Sequence, residues 1–470
     1  MNFKKILSFF LLAVILVFAF WLRFNAFWLP HWKGDQNHYV ALAMKLDQQG
    51  LEGYSLRQVR LGNFVLSKDP PIEFAFCKLD TPGTKGDLIT LLSRVGQSSY
   101  DQPLHHRAPL FPFFLMVSHR FLAGAEKLYG VCSSNLGPKV YSIRPAVIFK
   151  TQFWAAVVPL FFNLWVVFMT FLLGLRFFNE RVALYGAFLM ATNPVSILLA
   201  HLLLVEDTLA LFVTLSVFLY LLYFDKKNYP GIFAAGLTAG LAMLAKQTGG
   251  LLLPVAGIYT CLARRGKEKK ISDYLCPEVL VYALAAFLVS GFWFWKVWKN
   301  FGHPFYQPIS TLSAIRQELT GWVRQVSHRP APFIFFTWGV ISLSPVFACV
   351  FLTVRRFYAE VAQALSRKKK AGLSAEAMLW IWILAYFSFV VEPWHILALT
   401  ANQEHRFFYQ AYPAIALLSA LGLETIRGRL RPLLKNRWIP DMVVVALLCL
   451  NAWWGIPRAM AILMNNTLLF

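Results

Sequence analysis

A succession of long apolar segments is the feature that most constrains this chain. They recur from residue 6 to residue 454 and alternate with polar or basic segments. Hydrophobic residues make up 58% of the chain and charged residues only 14%, whereas soluble domains carry about 25% charged residues. Because a water-soluble core cannot bury this much apolar surface, a soluble enzyme and a disordered chain are excluded. The sequence predicts an all-α, polytopic bundle of transmembrane helices.

The basic charge balance is interpreted in the light of this membrane prediction. The formal net charge is +22, and the lysines and arginines cluster between the apolar runs. In a soluble protein such a charge would suggest nucleic acid. In a membrane protein it follows from the bias of basic residues toward cytoplasmic loops and from attraction to anionic lipid head groups. We therefore expect membrane lipids, and no nucleic acid, among the partners.

Three basic segments determine the predicted orientation, namely residues 264–270, 355–370 and 427–437. The positive-inside rule places all three, as loops, in the cytoplasm. The number of membrane crossings between the N-terminus and these segments decides whether they lie on the same side. They do so only if the interrupted apolar run at residues 108–124 does not cross the membrane. This run is therefore predicted to lie in the interface, and the remaining runs, including residues 182–200, give about eleven spans. We expect one transmembrane domain over residues 1–470.

Two long external segments follow from this topology, at residues 30–144 and 296–330. The first holds the interfacial helix, together with Cys77 and Cys132, whose pairing is left open. Isolated acids and histidines collect at the external ends of the spans, whereas the middles of the spans are almost free of charge. Pumps and ion-coupled transporters usually need ionisable groups near the midplane. The pattern favours a site at the outer interface, open to a lipid-borne substrate.

Four charged positions are the first candidates for function. Asp35 follows the first span, where an acid serves as a helix cap or as a base. Glu206 and Asp207 lie at the top of a span, where acids are costly unless paired but are also favoured by a helix N-terminus. Lys246 ends a span rich in small residues. It is either a phosphate ligand or a lysine whose charged end extends from the span toward water.

Further candidates lie in the other external segments. Arg406 precedes a late span and is either a phosphate ligand or an interface anchor. His106, His303 and His405 are candidates, with Glu206 and Asp207, for binding a divalent metal ion or the substrate. No short metal-binding motif occurs in the sequence, so a metal cofactor stays an open alternative.

Several of these motifs occur in an order that resembles the GT-C superfamily of integral membrane glycosyltransferases. The nearest likeness is to the branch that holds protein O-mannosyltransferases and lipid A aminoarabinose transferases (glycosyltransferase family 39/83-like). The matching elements are Gly34 to Tyr39 with Asp35, Pro109-Leu110-Phe111-Pro112, Arg144, the acids Glu206 and Asp207, residues 236–246 ending in Lys246, residues 295–306, and Arg406 followed by Tyr412-Pro413. Gln36 stands where the family pattern has a second acid.

The resemblance implies an enzyme that moves a sugar from a polyprenyl-phosphate-sugar to a protein, lipid or glycan acceptor. Asp35 would be the catalytic base and Lys246 and Arg406 the donor-phosphate ligands, with inversion at the sugar carbon. The expected location is the bacterial inner membrane, with the site on the external side. The alternatives are a polyprenyl-lipid or solute transporter and an accessory subunit of a glycosylation complex.

Overall fold

The computed structural model describes residues 3–25, 107–122, 145–224, 226–264, 276–301, 344–366, 373–390 and 404–464 except 435 and 437, with single positions between 39 and 54 and at 341. Within these ranges the chain consists of α-helices joined by short turns, some of them 3₁₀-helical, and contains no β-strand. The predicted all-α bundle is confirmed.

Thirteen α-helices follow one another in this part of the chain. In order they are α1 Phe3–Asn25, α2 Leu110–Leu122, α3 Pro145–Phe177, α4 Glu180–Ala191, α5 Pro194–Leu199, α6 Glu206–Phe224, α7 Tyr229–Ala245, α8 Leu252–Arg264, α9 Pro277–Phe301, α10 Phe351–Ser366, α11 Ala375–Val390, α12 Tyr412–Leu433 and α13 Ile439–Met464. Three 3₁₀ turns lie between them, Gln247–Leu251, Pro345–Val350 and Glu404–Ala411.

Five of these helices, α1, α3, α6, α9 and α13, are long and apolar enough to cross a membrane. Helix α2 has 13 residues, which at about 1.5 Å per residue is roughly 20 Å. This is shorter than the hydrocarbon core of a bilayer, which is about 30 Å thick. The length of α2 therefore agrees with the interfacial position expected for residues 108–124, while the total of about eleven spans stays a prediction.

The run at residues 182–200 forms two helices rather than one continuous helix, and its crossing of the membrane stays a prediction. Helix α4 ends at Ala191 and α5 begins at Pro194. The backbone N–H of Ser196 donates to Asn193 Oδ1 at 2.9 Å, as in a helix N-cap. Pro194 has no N–H with which to continue α4. The average hydropathy of the run gives no sign of this break, because most of the flanking residues are apolar.

The basic segments also differ from the loops that were predicted. Helix α10 continues to Ser366 and α12 to Leu433, well into two of these segments. Lysine and arginine are good helix formers, and their charged ends reach water from a helix that projects beyond the apolar layer. The predicted external segment 296–330 likewise begins inside a helix, because α9 runs to Phe301.

The chain divides into two compact units. The larger consists of Met1–Leu22, Phe162–Leu199 and Glu206–Phe470, and the smaller of Arg23–Phe161 and Ala200–Val205. In the smaller unit the Tyr54 hydroxyl donates to the Arg107 carbonyl at 3.0 Å, and Arg120 pairs with Asp47 at 2.5 Å. These contacts anchor both ends of α2, and burial lowers the pKa of His119 near its end.

In the larger unit, α7 packs along α6 on one side and along α9 on the other. A Cβ atom at Gly240 of α7 would lie 2.6 Å from the Ala286 carbonyl oxygen of α9. Small residues allow two membrane helices to approach this closely. The small-residue span noted in the sequence is therefore a helix-packing surface.

We expect Gly240→Val to lower the free energy of unfolding by about 1–3 kcal/mol, because the added side chain forces α7 and α9 apart. Thermal unfolding of the purified protein in detergent measures the effect. Gly291→Val on α9 is the matched control, since a Cβ there meets no atom within 4 Å. Equal unfolding temperatures for the two variants would contradict the packing argument.

Candidate active site

Two acidic residues begin α6 and are almost completely buried. Glu206 is 3% exposed and Asp207 is 1% exposed. The first turn of a helix favours negative charge, but burying a carboxylate is costly unless it is paired or hydrogen-bonded. Each of these acids also contacts a side chain from outside α6, so capping the start of this helix is not their only interaction.

Glu206 is paired with Lys246. The Lys246 Nζ atom donates to Glu206 Oε1 at 3.1 Å, and the two side chains are 27% and 4% exposed. Lys246 is the C-cap residue of α7, where its backbone N–H donates to the Ala242 carbonyl. The start of α6 and the end of α7 therefore lie together, and the Lys246 side chain is partly exposed.

Asp207 belongs to a buried polar network. Asn163 of α3 donates through Nδ2 to Asp207 Oδ1 at 2.6 Å and to the Ser196 carbonyl at 2.9 Å. Ser196 Oγ donates to Asn163 Oδ1 at 3.1 Å, and the Tyr409 hydroxyl lies 3.0 Å from Ser196 Oγ and 2.9 Å from Asn163 Nδ2. All four side chains are at most 1% exposed, so the network holds the carboxylate away from water.

The 3₁₀ turn Gln247–Leu251 folds back on the end of α7. The Gly249 N–H donates to the Lys246 carbonyl at 2.8 Å, and a Cβ at Gly249 would overlap the backbone of Ala242. Gln247 Nε2 and Thr248 Oγ1 are buried in this turn without a hydrogen-bond partner in the part of the chain that is described.

Glu206 Oε2 is likewise buried and has no hydrogen-bond partner among the described residues. Buried polar atoms without partners cost about 1–3 kcal/mol each. Such atoms beside a charged pair indicate a place where a polar ligand supplies the missing hydrogen bonds.

Arg406 lies in the 3₁₀ turn Glu404–Ala411, which also contributes Tyr409 to the network. This turn packs against α6 and carries Arg406 three residues before Tyr409. In a 3₁₀ helix, residues three apart lie on one face. Arg406 and Tyr409 therefore share a face of this turn.

The remaining candidates lie outside the described residues. They are Asp35, His106, His303 and the side chain of His405, and their roles stay predictions. Among the described residues no three metal-ligating side chains group together. Glu206 Oε1 accepts from Lys246 and Asp207 Oδ1 accepts from Asn163.

Asn163, Ser196 and Tyr409 were not among the residues expected from the sequence. Asn163 lies in an apolar run, and polar residues inside membrane spans often mark function. That signal could have identified it. Tyr409 carried no comparable signal, because its partner Asn163 is 246 positions away in the chain.

Comparison with solved structures identifies the architecture. ArnT from Cupriavidus metallidurans bound to undecaprenyl phosphate matches 99% of this chain and 73% of its own, with a TM-score of 0.51 and 14% sequence identity. The apo oligosaccharyltransferase of Archaeoglobus fulgidus matches 97% of this chain and 56% of its own, also with a TM-score of 0.51. The chain has the GT-C fold. It is an integral, multi-pass membrane protein, as the apolar runs predicted.

A family model overlaps the residues of the candidate site. Residues 117–267 match the dolichyl-phosphate-mannose-protein mannosyltransferase family, and this segment contains Asn163, Glu206, Asp207 and Lys246. An uncharacterised protein of Aquifex aeolicus (strain VF5) is 26% identical over 163 residues, which are 34% of this chain and 30% of the relative. The chain thus matches less than a third of that relative.

Proposed function

We propose that this protein is a membrane glycosyltransferase that moves a sugar from a polyprenyl-phosphate-sugar donor to a hydroxyl or phosphate group of a protein, lipid or glycan acceptor. The Lys246–Glu206 pair beside buried Asp207 carries the proposal. These residues lie in the segment that matches a mannosyltransferase family, on the fold of an enzyme that binds undecaprenyl phosphate.

Lys246 is proposed to bind the phosphate of the donor lipid. As the sugar–phosphate bond breaks, the phosphate gains negative charge, and a nearby ammonium group stabilises that charge. Hydrogen bonds between charged groups are about twice as strong as neutral ones. Arg406 is the second proposed ligand of this phosphate.

Gln247 and Thr248 follow Lys246 in the same turn and offer further hydrogen-bond donors. Gln247 Nε2 and Thr248 Oγ1 lack partners among the described residues, and a phosphate or a sugar hydroxyl would satisfy them. Glu206 Oε2, which also lacks a partner there, is suited to accept from a sugar hydroxyl.

The chemical step is proposed as a single displacement. The acceptor oxygen attacks the anomeric carbon, the bond from that carbon to the phosphate oxygen breaks, and the acceptor proton passes to Asp35. A positioned carboxylate base contributes about 10²–10⁴-fold to such a reaction. One displacement inverts the configuration at the sugar carbon.

The positions of the charged groups support a site on the external side. Helix α8 leads from the turn that follows Lys246 to Arg264, at the start of a basic segment. Lys246 precedes the 3₁₀ turn Gln247–Leu251 and Arg264 ends α8, so the two residues flank the segment formed by this turn and α8 together. Since basic segments favour the cytoplasm, we propose that Lys246 faces the external side of a bacterial inner membrane.

The proposal is tested by measuring release of polyprenyl phosphate from a panel of labelled polyprenyl-phosphate sugars. The purified protein is reconstituted in lipid with a membrane extract that supplies acceptors. We expect release from one preferred donor, with the label recovered on an acceptor. Movement of an intact donor across the bilayer, without release, would instead establish a transporter.

A further inference from the structure

The Tyr409 hydroxyl connects the turn that carries Arg406 to the network around Asp207. Ser196 Oγ has one proton, which it donates to Asn163 Oδ1 at 3.1 Å. The Tyr409 hydroxyl, 3.0 Å from Ser196 Oγ, is therefore the donor of that pair. Its oxygen lies 2.9 Å from Asn163 Nδ2, which also binds Asp207.

This network joins three elements through the side-chain amide of Asn163. Asn163 belongs to α3, Asp207 to α6, and Tyr409 to the 3₁₀ turn Glu404–Ala411. Hydrogen bonds that form a chain strengthen one another in a buried environment. The turn is therefore fixed by hydrogen bonds to α3 and α5, and through Asn163 to Asp207 at the start of α6, as well as by packing against α6.

The consequence concerns Arg406, which lies on the same face of the turn as Tyr409. A 3₁₀ turn is short and has weaker hydrogen-bond geometry than an α-helix. A long arginine side chain on such a turn points reproducibly at a ligand only if the turn itself is held in place.

We propose that Tyr409 is a positioning residue, held by Asn163 and Ser196, that fixes the direction of Arg406 toward the phosphate of the lipid donor. This rests on the proposed function, in which Arg406 binds that phosphate. Tyr409 itself does not touch the reacting atoms, and its hydroxyl acts through the turn.

Tyr409→Phe tests this role with little disturbance to the fold. The ring is retained, and the two Asn163 Nδ2 protons keep Asp207 Oδ1 and the Ser196 carbonyl as acceptors. No buried donor of Asn163 is left unpaired, so we expect the thermal unfolding temperature to change little.

The measurement is the Kd of undecaprenyl phosphate for the full-length protein in nanodiscs, in a double-mutant cycle with Arg406→Ala. We expect Tyr409→Phe to weaken binding about tenfold, within the range for one hydrogen bond. Arg406→Ala should weaken binding more, and the double variant should be no weaker than Arg406→Ala alone, because coupled residues are not additive.

Tyr386→Phe is the matched control. Tyr386 is completely buried on α11, next to the same turn, and its hydroxyl makes no hydrogen bond within the described residues. Its Kd should equal that of the wild type. If Tyr409→Phe lowers the yield of protein, Ser196→Ala takes its place in the cycle with the same expectation.

The outcomes separate the two proposals. Wild-type binding by Tyr409→Phe, with Arg406→Ala weakened, would overturn the positioning role and leave the proposed function standing. Additive losses in the double variant would also overturn it, since Tyr409 would then act independently of Arg406. Unchanged binding by Arg406→Ala would remove Arg406 from the phosphate site and the positioning role with it.

Discussion

Replacing Asp35 with Asn is expected to lower the rate of sugar transfer by about 10²–10⁴-fold, the usual contribution of a general base. Asparagine has nearly the same shape as aspartate but cannot accept the acceptor proton. Binding of the donor should be nearly unchanged, because the phosphate is bound by basic residues. The measurement is release of polyprenyl phosphate from the preferred donor under single-turnover conditions.

Asp47→Asn provides the control for this experiment. Asp47 is an acid in the same compact unit as Asp35, and it pairs with Arg120 at 2.5 Å. That pair is partly exposed, and exposed ion pairs contribute only about 0–1 kcal/mol. The control should retain wild-type transfer. Undiminished turnover by Asp35→Asn would show that another group accepts the proton.

Lys246→Met is expected to have two separate effects. It removes the ammonium group from the phosphate site, so the affinity for undecaprenyl phosphate should fall by about 10–100-fold, as for loss of a charged hydrogen bond. It also leaves the Glu206 carboxylate buried without its partner. Because Lys246 is 27% exposed, the loss of stability should be about 1–3 kcal/mol, below that of a fully buried pair.

A second substitution separates these two effects. In the double variant Lys246→Met with Glu206→Gln, the buried charge is removed together with its partner. The thermal unfolding temperature should return toward the wild-type value, whereas the affinity for undecaprenyl phosphate should stay low. Recovery of donor binding in the double variant would mean that Lys246 serves only to neutralise Glu206.

The pairing of Lys246 with Glu206 has a further consequence for substrate binding. The pair keeps a buried carboxylate and a partly exposed lysine side chain together, where α6 begins and α7 ends. In the proposed function, a donor phosphate that approaches Lys246 would interact with a cation whose position is already held by Glu206. The ordering of the long lysine side chain, which opposes binding, is therefore largely complete before the lipid arrives.

The sequence by itself determined the class of the protein and several charged positions of the candidate site. Long apolar runs can be satisfied only by helices in a membrane, so the helical bundle followed from composition and spacing. Glu206, Asp207 and Lys246 were found because charge beside an apolar span is costly and therefore conspicuous. The structure brings Glu206 and Lys246 into contact and buries Asp207 beside them.

Only the tertiary structure decided which residues complete the site. Asp207 accepts from Asn163 of α3, which is joined in turn to Ser196 of α5 and to Tyr409 of a turn late in the chain. Asn163 and Tyr409 are 246 positions apart. Asn163 stands out in the sequence only because it interrupts an apolar run, and Ser196 and Tyr409 carry little signal, because burying a neutral polar group is much less costly than burying a charge. The break at Asn193-Pro194 was hidden from hydropathy for a similar reason, because it depends on a local hydrogen bond rather than on polarity. Charge thus marked the site in the sequence, and the hydrogen bonds that hold it depend on how distant segments pack.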